Sequence, residues 1–203
     1  CSNVWLNLVT EAMIVLGGIG FMVVLDVLRC RGRFRKLTLH SKVVLTTTAV
    51  LILGGALLLW LTEPISFLAA LFQSITTRTA GFSTIDIGAM TNAGLLVMMI
   101  LMFIGASPGS TGGGIKTTTF FVLMQEVRII FSKRRLGAFK RRLPKESLDK
   151  AATITLLGAV VVFVGTFVLC VLEPQLSFVQ LLFEQVSAYS TAGLTMGITA
   201  GLH

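Results

Sequence analysis

Two nine-residue segments carry residue types that could hold a partly dehydrated cation. Thr76-Thr77-Arg78-Thr79-Ala80-Gly81-Phe82-Ser83-Thr84 and Ser187-Ala188-Tyr189-Ser190-Thr191-Ala192-Gly193-Leu194-Thr195 each contain Thr-Ala-Gly followed by a large apolar residue. An ion stripped of water needs several oxygen ligands, and aligned backbone carbonyls can supply them. Successive carbonyls face one axis only where some residues take φ above zero, which glycine does readily. The small side chains of Ala80 and Ala192 let strands crowd around an ion. The expected ligands are Thr79, Ala80, Gly81 and Phe82 in the first segment, and Thr191, Ala192, Gly193 and Leu194 in the second. Alone, Thr-Ala-Gly fits an ordinary loop; its recurrence in matching surroundings gives it weight.

Those surroundings are short apolar stretches, Ile65 to Ile75 and Leu176 to Val186, each 11 residues. As helix, each covers about 16 Å and cannot cross a bilayer. Glu63-Pro64 and Glu173-Pro174 precede them, and proline suits a helix start. Glu63 and Glu173 read as caps of the short helices near the outer surface rather than as ion ligands. The order long helix, Glu-Pro, short helix, small-residue segment therefore occurs twice. Phe72 aligns with Phe183 at an offset of 111, but the Thr-Ala-Gly motifs align at 112, so one residue is inserted between them. A short helix between two spans reads as a re-entrant half-helix whose C-terminal dipole attracts a cation. A helix lying on the membrane surface is the plainer alternative.

Long apolar segments frame these loops: Ala12 to Leu28, Val43 to Leu61, Gly94 to Phe131 and Ala151 to Leu172. Roughly 20 residues of helix span the hydrocarbon core, so the first, second and fourth can each cross once. The third is too long, about 50 Å from Gly94 to Glu126 as one helix. Its middle, Gly105-Ala106-Ser107-Pro108-Gly109-Ser110-Thr111-Gly112-Gly113-Gly114, holds one proline and five glycines, which break a helix. Such backbone survives at membrane depth only when buried in protein or facing water, so a broken helix beside an aqueous path is expected. Lys116 follows, and an ammonium at that depth reads as functional unless it snorkels to the surface. Gly109 to Thr117 approaches a phosphate-binding loop, but Ile115 interrupts the pattern and no strand precedes it.

Composition agrees with a membrane bundle. The chain of 203 residues is 54 % hydrophobic and 13 % charged, with mean hydropathy +0.88 and a net charge of +8. Fifteen of its 17 basic residues lie at 29–42 and 128–150, flanking apolar runs, as the positive-inside bias predicts for cytoplasmic loops. No aromatic residues interleave with them as a nucleic-acid groove would need, and anionic headgroups are a further contact for these clusters. Cys1, Cys30 and Cys170 share no metal spacing or disulfide pattern; Cys30, beside a membrane helix, could carry a palmitoyl group but reads as an ordinary cysteine. His40 and His203 cannot assemble a metal site. Arg78 would repel cations if it faced the pore, so it is expected to point backward, towards an acid such as Glu184 or Asp86.

The run Phe72 to Phe82 (FQSITTRTAGF) together with Gly105 to Thr119 (GASPGSTGGGIKTTT) resembles the third pore repeat of the Trk/Ktr/HKT superfamily, in particular the KtrB-type membrane subunit. Phe183 to Leu194 (FEQVSAYSTAGL) resembles the fourth filter. The resemblance implies an all-α integral membrane fold of helix–re-entrant pore loop–helix units around a potassium-channel-like pore, here truncated. Residues 1–36 would end repeat two and enter a basic loop, and 37–132 would form repeat three. A basic linker at 133–150 would then lead to repeat four at 151–203 without its last helix. Gly109, Gly112, Gly113, Gly114 and Lys116 correspond to an intramembrane gate loop.

The family further implies potassium as the transported ion with sodium as a candidate activator, and no cofactor or enzymatic step in this chain. It also implies a plasma-membrane homodimer docked on a cytosolic ring of nucleotide-binding, KtrA/TrkA-like regulatory subunits. One glycine per segment, against two in T-V-G-Y-G filters, implies looser selectivity against sodium. Two other readings stand beside this one: a secondary cation transporter with an occluded midplane site built by broken helices, and a membrane anchor without transport.

Overall fold

The computed structural model describes residues 4–132, 137–138, 141–142 and 145–198. Helices α1 (Val4–Ile19) and α2 (Phe21–Arg29) occupy the segment expected to cross as one span from Ala12, but the chain turns by 96° between them. Gly20 makes the turn at φ 89, and a Cβ there would come within 2.5 Å of the Pro108 carbonyl oxygen. Apolar periodicity does not register such a break, because its cause is the approach of a distant segment. That segment bonds both sides of the turn: Ser107 N donates to Gly18 O (3.0 Å) and Phe21 N to Gly109 O (3.4 Å).

A short 3-10 turn at Phe34–Lys36 leads to α3 (Leu39–Thr62). Thr38 caps α3, and the Asp26 carboxylate on α2 accepts from Thr38 N (3.0 Å), Thr38 Oγ1 (2.9 Å) and Ser41 Oγ (2.5 Å). The cap thus ties α2 to the start of α3 while satisfying helix-end donors. The short helix α4 (Phe67–Thr76) follows, and then α5 (Asn92–Phe103) and α6 (Thr117–Ser132) with the glycine-rich break between them. Strands β1 (Gly137–Ala138) and β2 (Arg141–Arg142) form a small antiparallel pair in the basic linker. The remainder of 133–144, and 199–203 at the end of the fourth unit, lie outside the described residues. Helix α7 (Lys145–Leu172) and the second short helix α8 (Phe178–Ser190) complete the order.

Leu39–Thr62 and Glu146–Leu172 are long and apolar enough to cross a bilayer singly, and α1 with α2 makes a third span if the bent pair counts as one. Each short helix is wedged between two other helices. α4 lies against α3 and α1, and α8 against α7 and α5. Phe183 of α8 is fully buried with Leu59, Met98 and Met102 from α3 and α5, so the main apolar core joins the second short helix to α3 and α5. On the outside, α7 leaves Phe163 at 73 % and Leu172 at 67 % exposure, an apolar surface suited to lipid or to further helices.

The Glu-Pro corners differ from expectation. Ser66 and Ser177, not the glutamates, cap α4 and α8, the latter in a capping box with Gln180. Glu63 instead ends α3, and its Oε1 accepts from Thr91 N (3.0 Å) and Thr91 Oγ1 (2.6 Å). Thr91 is the cap of α5, so Glu63 fastens the start of the helix that follows the loop. Glu173 closes α7 and accepts from the Gln175 amide.

Candidate functional site

Both short helices run into loops with the same unusual backbone. Thr79 and Thr191 take φ of 76 and 55, and Gly81 and Gly193 take 78 and 76. Only three described non-glycine residues have positive φ, and two of them are these threonines. For a β-branched residue that conformation costs about 1–3 kcal/mol and persists only when its surroundings enforce it. Left-handed turns at alternate residues swing successive carbonyls towards one side. The sequence reading assigned positive φ to the glycines and missed the threonines, because residue type alone argues against it.

Hydroxyls on the short helices enforce the shape. Thr76 Oγ1 donates to Phe82 O (2.5 Å) and Ser187 Oγ to Leu194 O (2.6 Å). Both hydroxyl residues are buried, at 0 % and 3 % exposure. The carbonyls of Phe82 and Leu194 are therefore engaged from behind. Ala80 N donates to Thr76 O (3.2 Å) and Ala192 N to Ser187 O (2.9 Å), fixing the middle of each motif.

The fold brings the two motifs together. A Cβ on Gly81 would lie 3.0 Å from Ala192 O and 3.4 Å from Gly193 Cα, while one on Gly193 would meet Gly81 Cα at 3.4 Å. An open cavity of about 440 Å³ lies along the second loop, lined by residues including Glu184, Thr191 and Gly193.

The glycine-rich break presses against both loops. Gly112 abuts Thr79, and a Cβ there would come within 2.9 Å of its Cγ2. Gly113 N donates to Thr191 Oγ1 (2.9 Å), and a Cβ on Gly113 would strike Ser190 O at 2.7 Å. The Lys116 ammonium donates to Gly112 O, closing the turn on itself. Gly114 backs onto Gly105, whereas Gly109 sits apart from the filter motifs, near Phe21 and Met22 on α2. The break is therefore held between the two Thr-Ala-Gly loops and the α1–α2 turn. Helix α6 follows it and helix α5 precedes it, so the strand that a phosphate-binding loop requires is replaced by a helix.

Arg78 does point away from the loops. Its side chain is 5 % exposed and borders a small void with Ile14, Val15, Gly18, Thr48, Ile52 and Ile75. The expected carboxylate partners are elsewhere. Glu184 accepts from Thr195 Oγ1 and Met196 N, and Asp86 accepts from Gly88 N. Arg78 Nε and Nη2 have no hydrogen-bond partner among the described residues. No group of three His, Cys, Asp or Glu gathers as a metal site among the described residues.

The family model described as TrkH, cation transport protein, matches residues 1–203. The potassium/sodium uptake protein NtpJ of Enterococcus hirae is 39 % identical over 99 % of this chain and 48 % of its own length. The Ktr system potassium uptake protein B of Bacillus subtilis is 37 % identical over 97 % of this chain and 46 % of its own. The chain thus spans about half the length of the curated relatives it matches. The crystal structure of the potassium transporter TrkH from Vibrio parahaemolyticus superposes with a TM-score of 0.69, at 21 % identity, over 90 % of this chain and 42 % of that one. That likeness bears on the fold, and the relatives named are transport proteins. With its apolar helices and paired helix–loop units, the chain belongs to the TrkH family of cation transport proteins.

Proposed function

We propose that the full-length protein takes up potassium through a pore to which this chain contributes two of the filter loops and the gate beneath them. The observation that carries the reading is the apposition of Gly81 and Gly193, with the Gly112–Gly113 turn set against Thr79 and Thr191 of the same two loops. Carbonyls of Thr79, Ala80 and Gly81, and of Thr191, Ala192 and Gly193, would replace part of the ion's hydration shell. Those of Phe82 and Leu194 complete each segment while their other lone pair serves the hydroxyls behind. The glycine-rich turn, pinned by Lys116 to Gly112 O, would close the path below and open by rearranging backbone at low cost.

The same reading places the basic residues at 29–42 and 128–150 on the cytoplasmic side of the plasma membrane. A homodimer, a nucleotide-binding cytosolic ring and activation by sodium belong to this proposal. A second reading has a specific observation in its favour: both α1–α2 and α5–α6 are broken, as in transporters that occlude an ion at the midplane. Flux of rubidium into liposomes holding the full-length protein decides between them. Gly81→Asp or Gly193→Asp is expected to abolish flux, and unchanged flux after both would sink the pore reading. Strictly coupled exchange without single-channel current would select the second.

A further inference from the structure

Each pore loop is tied to its own short helix by a second side chain, one turn earlier than the hydroxyl already described. In repeat three, Gln73 Nε2 donates to Ser83 Oγ (2.8 Å). In repeat four, Glu184 Oε1 accepts from Thr195 Oγ1 (2.6 Å) and from Met196 N (2.9 Å). Gln73 and Glu184 stand at the offset of 111, as do Thr76 and Ser187, while Ser83 and Thr195 stand at 112. The two loops therefore carry the same two-point fastening: helix side chain to the hydroxyl two residues past the filter glycine, and helix hydroxyl to the carbonyl one residue past it.

The chemistry of the outer fastening is opposite in the two repeats, and the local backbone dictates which is required. Ser83 Oγ donates its proton to Ile85 O (2.6 Å). It can only accept from the helix, so the partner must be a donor, and Gln73 supplies an amide N–H. Thr195 Oγ1 accepts from Gly197 N (3.0 Å) and keeps its own proton to give. Its partner must be an acceptor, and Glu184 supplies a carboxylate oxygen.

We propose that Gln73 with Thr76, and Glu184 with Ser187, are positioning residues that fix the radius of the filter and so discriminate potassium from the smaller sodium ion. The proposal rests on the pore reading given above. A ring of carbonyls held from behind cannot contract around sodium, whereas a loop freed at one point can follow the smaller ion inward. Sites of this kind hold their geometry through the groups that support the ligands. Loss of a fastening should therefore change selectivity more than throughput.

The test uses the full-length protein in liposomes, with rubidium and sodium uptake measured in parallel. Thr76→Val and Ser187→Ala are each expected to raise the sodium-to-rubidium ratio by about five- to tenfold, the worth of one buried hydrogen bond. Thr76→Ser and Ser187→Thr, which keep a hydroxyl, should bring the ratio back towards wild type. Gln73→Glu sets an acceptor against an accepting hydroxyl at a fully buried position and should match or exceed Thr76→Val. Glu184→Gln retains an amide oxygen for both donors and should shift the ratio only about twofold. Rubidium flux with an unaltered ratio in Thr76→Val and Ser187→Ala would overturn the proposal while leaving the pore reading in place. Equal effects of Gln73→Glu and Glu184→Gln would also overturn it. Absence of any cation flux in the wild type would bring down the pore reading itself. Should Thr76→Val not assemble, Ser187→Ala removes a single oxygen and carries the same comparison.

Discussion

The two short helices α4 and α8 begin in register, Phe67 against Phe178, and end out of it. Helix α4 stops at Thr76 after 10 residues, whereas α8 continues to Ser190 for 13. The inserted residue of repeat four is absorbed as extra helix, with Ser190 Oγ bonding back to Val186 O (2.8 Å). Arg78 and Tyr189, 111 residues apart, consequently point into equivalent slots. Arg78 lies between α1 and α3 among Ile14, Val15, Gly18, Thr48 and Ile52. Tyr189 lies between α5 and α7, its ring 5.7 Å from that of Phe103 and its hydroxyl against Gly158. Beyond that point both loops resume the same left-handed threonine and glycine. The loop geometry is thus common to both repeats, and what differs is the filling behind it.

The largest effects should come from Gly81 and Gly193, the glycines of the proposed filter, and they should be unequal. Alanine at either position is forced to a φ near +77°, which costs about 1–2 kcal/mol. At Gly81 the new methyl also meets Ala192 O at 3.0 Å, while at Gly193 its nearest neighbour is Gly81 Cα at 3.4 Å. Gly81→Ala is expected to cut rubidium flux at least about tenfold, and Gly193→Ala to cut it several-fold less. Matched losses in a parallel flux assay would mean that the close approach of the two loops has no functional weight.

This asymmetry marks where sequence reading reaches its limit. The repeat, the short helices and the break after Phe103 were all legible, because apolar length and glycine clusters report local backbone directly. The offset of 111 also contained Gln73/Glu184, Thr76/Ser187 and Arg78/Tyr189 as pairs, so the fastenings could have been found by extending the alignment that matched Phe72 with Phe183. Hydrogen-bond direction could not, since it depends on where Ile85 O and Gly197 N happen to fall. The turn at Gly20 was hidden for a related reason: an apolar run reads as continuous until a distant segment, here Pro108–Gly109, is seen to occupy the inside of the bend.

The glycine-rich turn, the proposed gate, offers the next contrast, because its two glycines face different loops. A methyl on Gly113 would strike the backbone oxygen of Ser190 at 2.7 Å, and the helix behind that oxygen cannot yield. A methyl on Gly112 meets the Thr79 side chain, which can rotate, and the Ala106 Cβ at 2.6 Å, which cannot. Gly112→Ala and Gly113→Ala should therefore each displace the turn and change flux about three- to tenfold; the scale is that of overpacking, about 1–3 kcal/mol, shared with the chain's freedom to move. Unchanged flux in both variants would mean that the contacts of the turn with the two loops carry no functional weight.

The smallest effects should appear in the slots behind the loops, and there the sign is informative. A buried guanidinium with two unbonded nitrogens is an expense to the folded state, and replacing it with an apolar chain of similar length removes the unsatisfied donors. Arg78→Met should therefore leave the thermal midpoint of the detergent-solubilised full-length protein unchanged or raise it by a few degrees. Tyr189→Phe, which keeps the ring against Phe103, should move it by less, within about 0.5 kcal/mol. A clear drop in the midpoint for Arg78→Met would show that the guanidinium is satisfied in the full-length protein by groups outside the described residues. In that case the arginine would be a structural joint between repeats, and the tyrosine its uncharged counterpart.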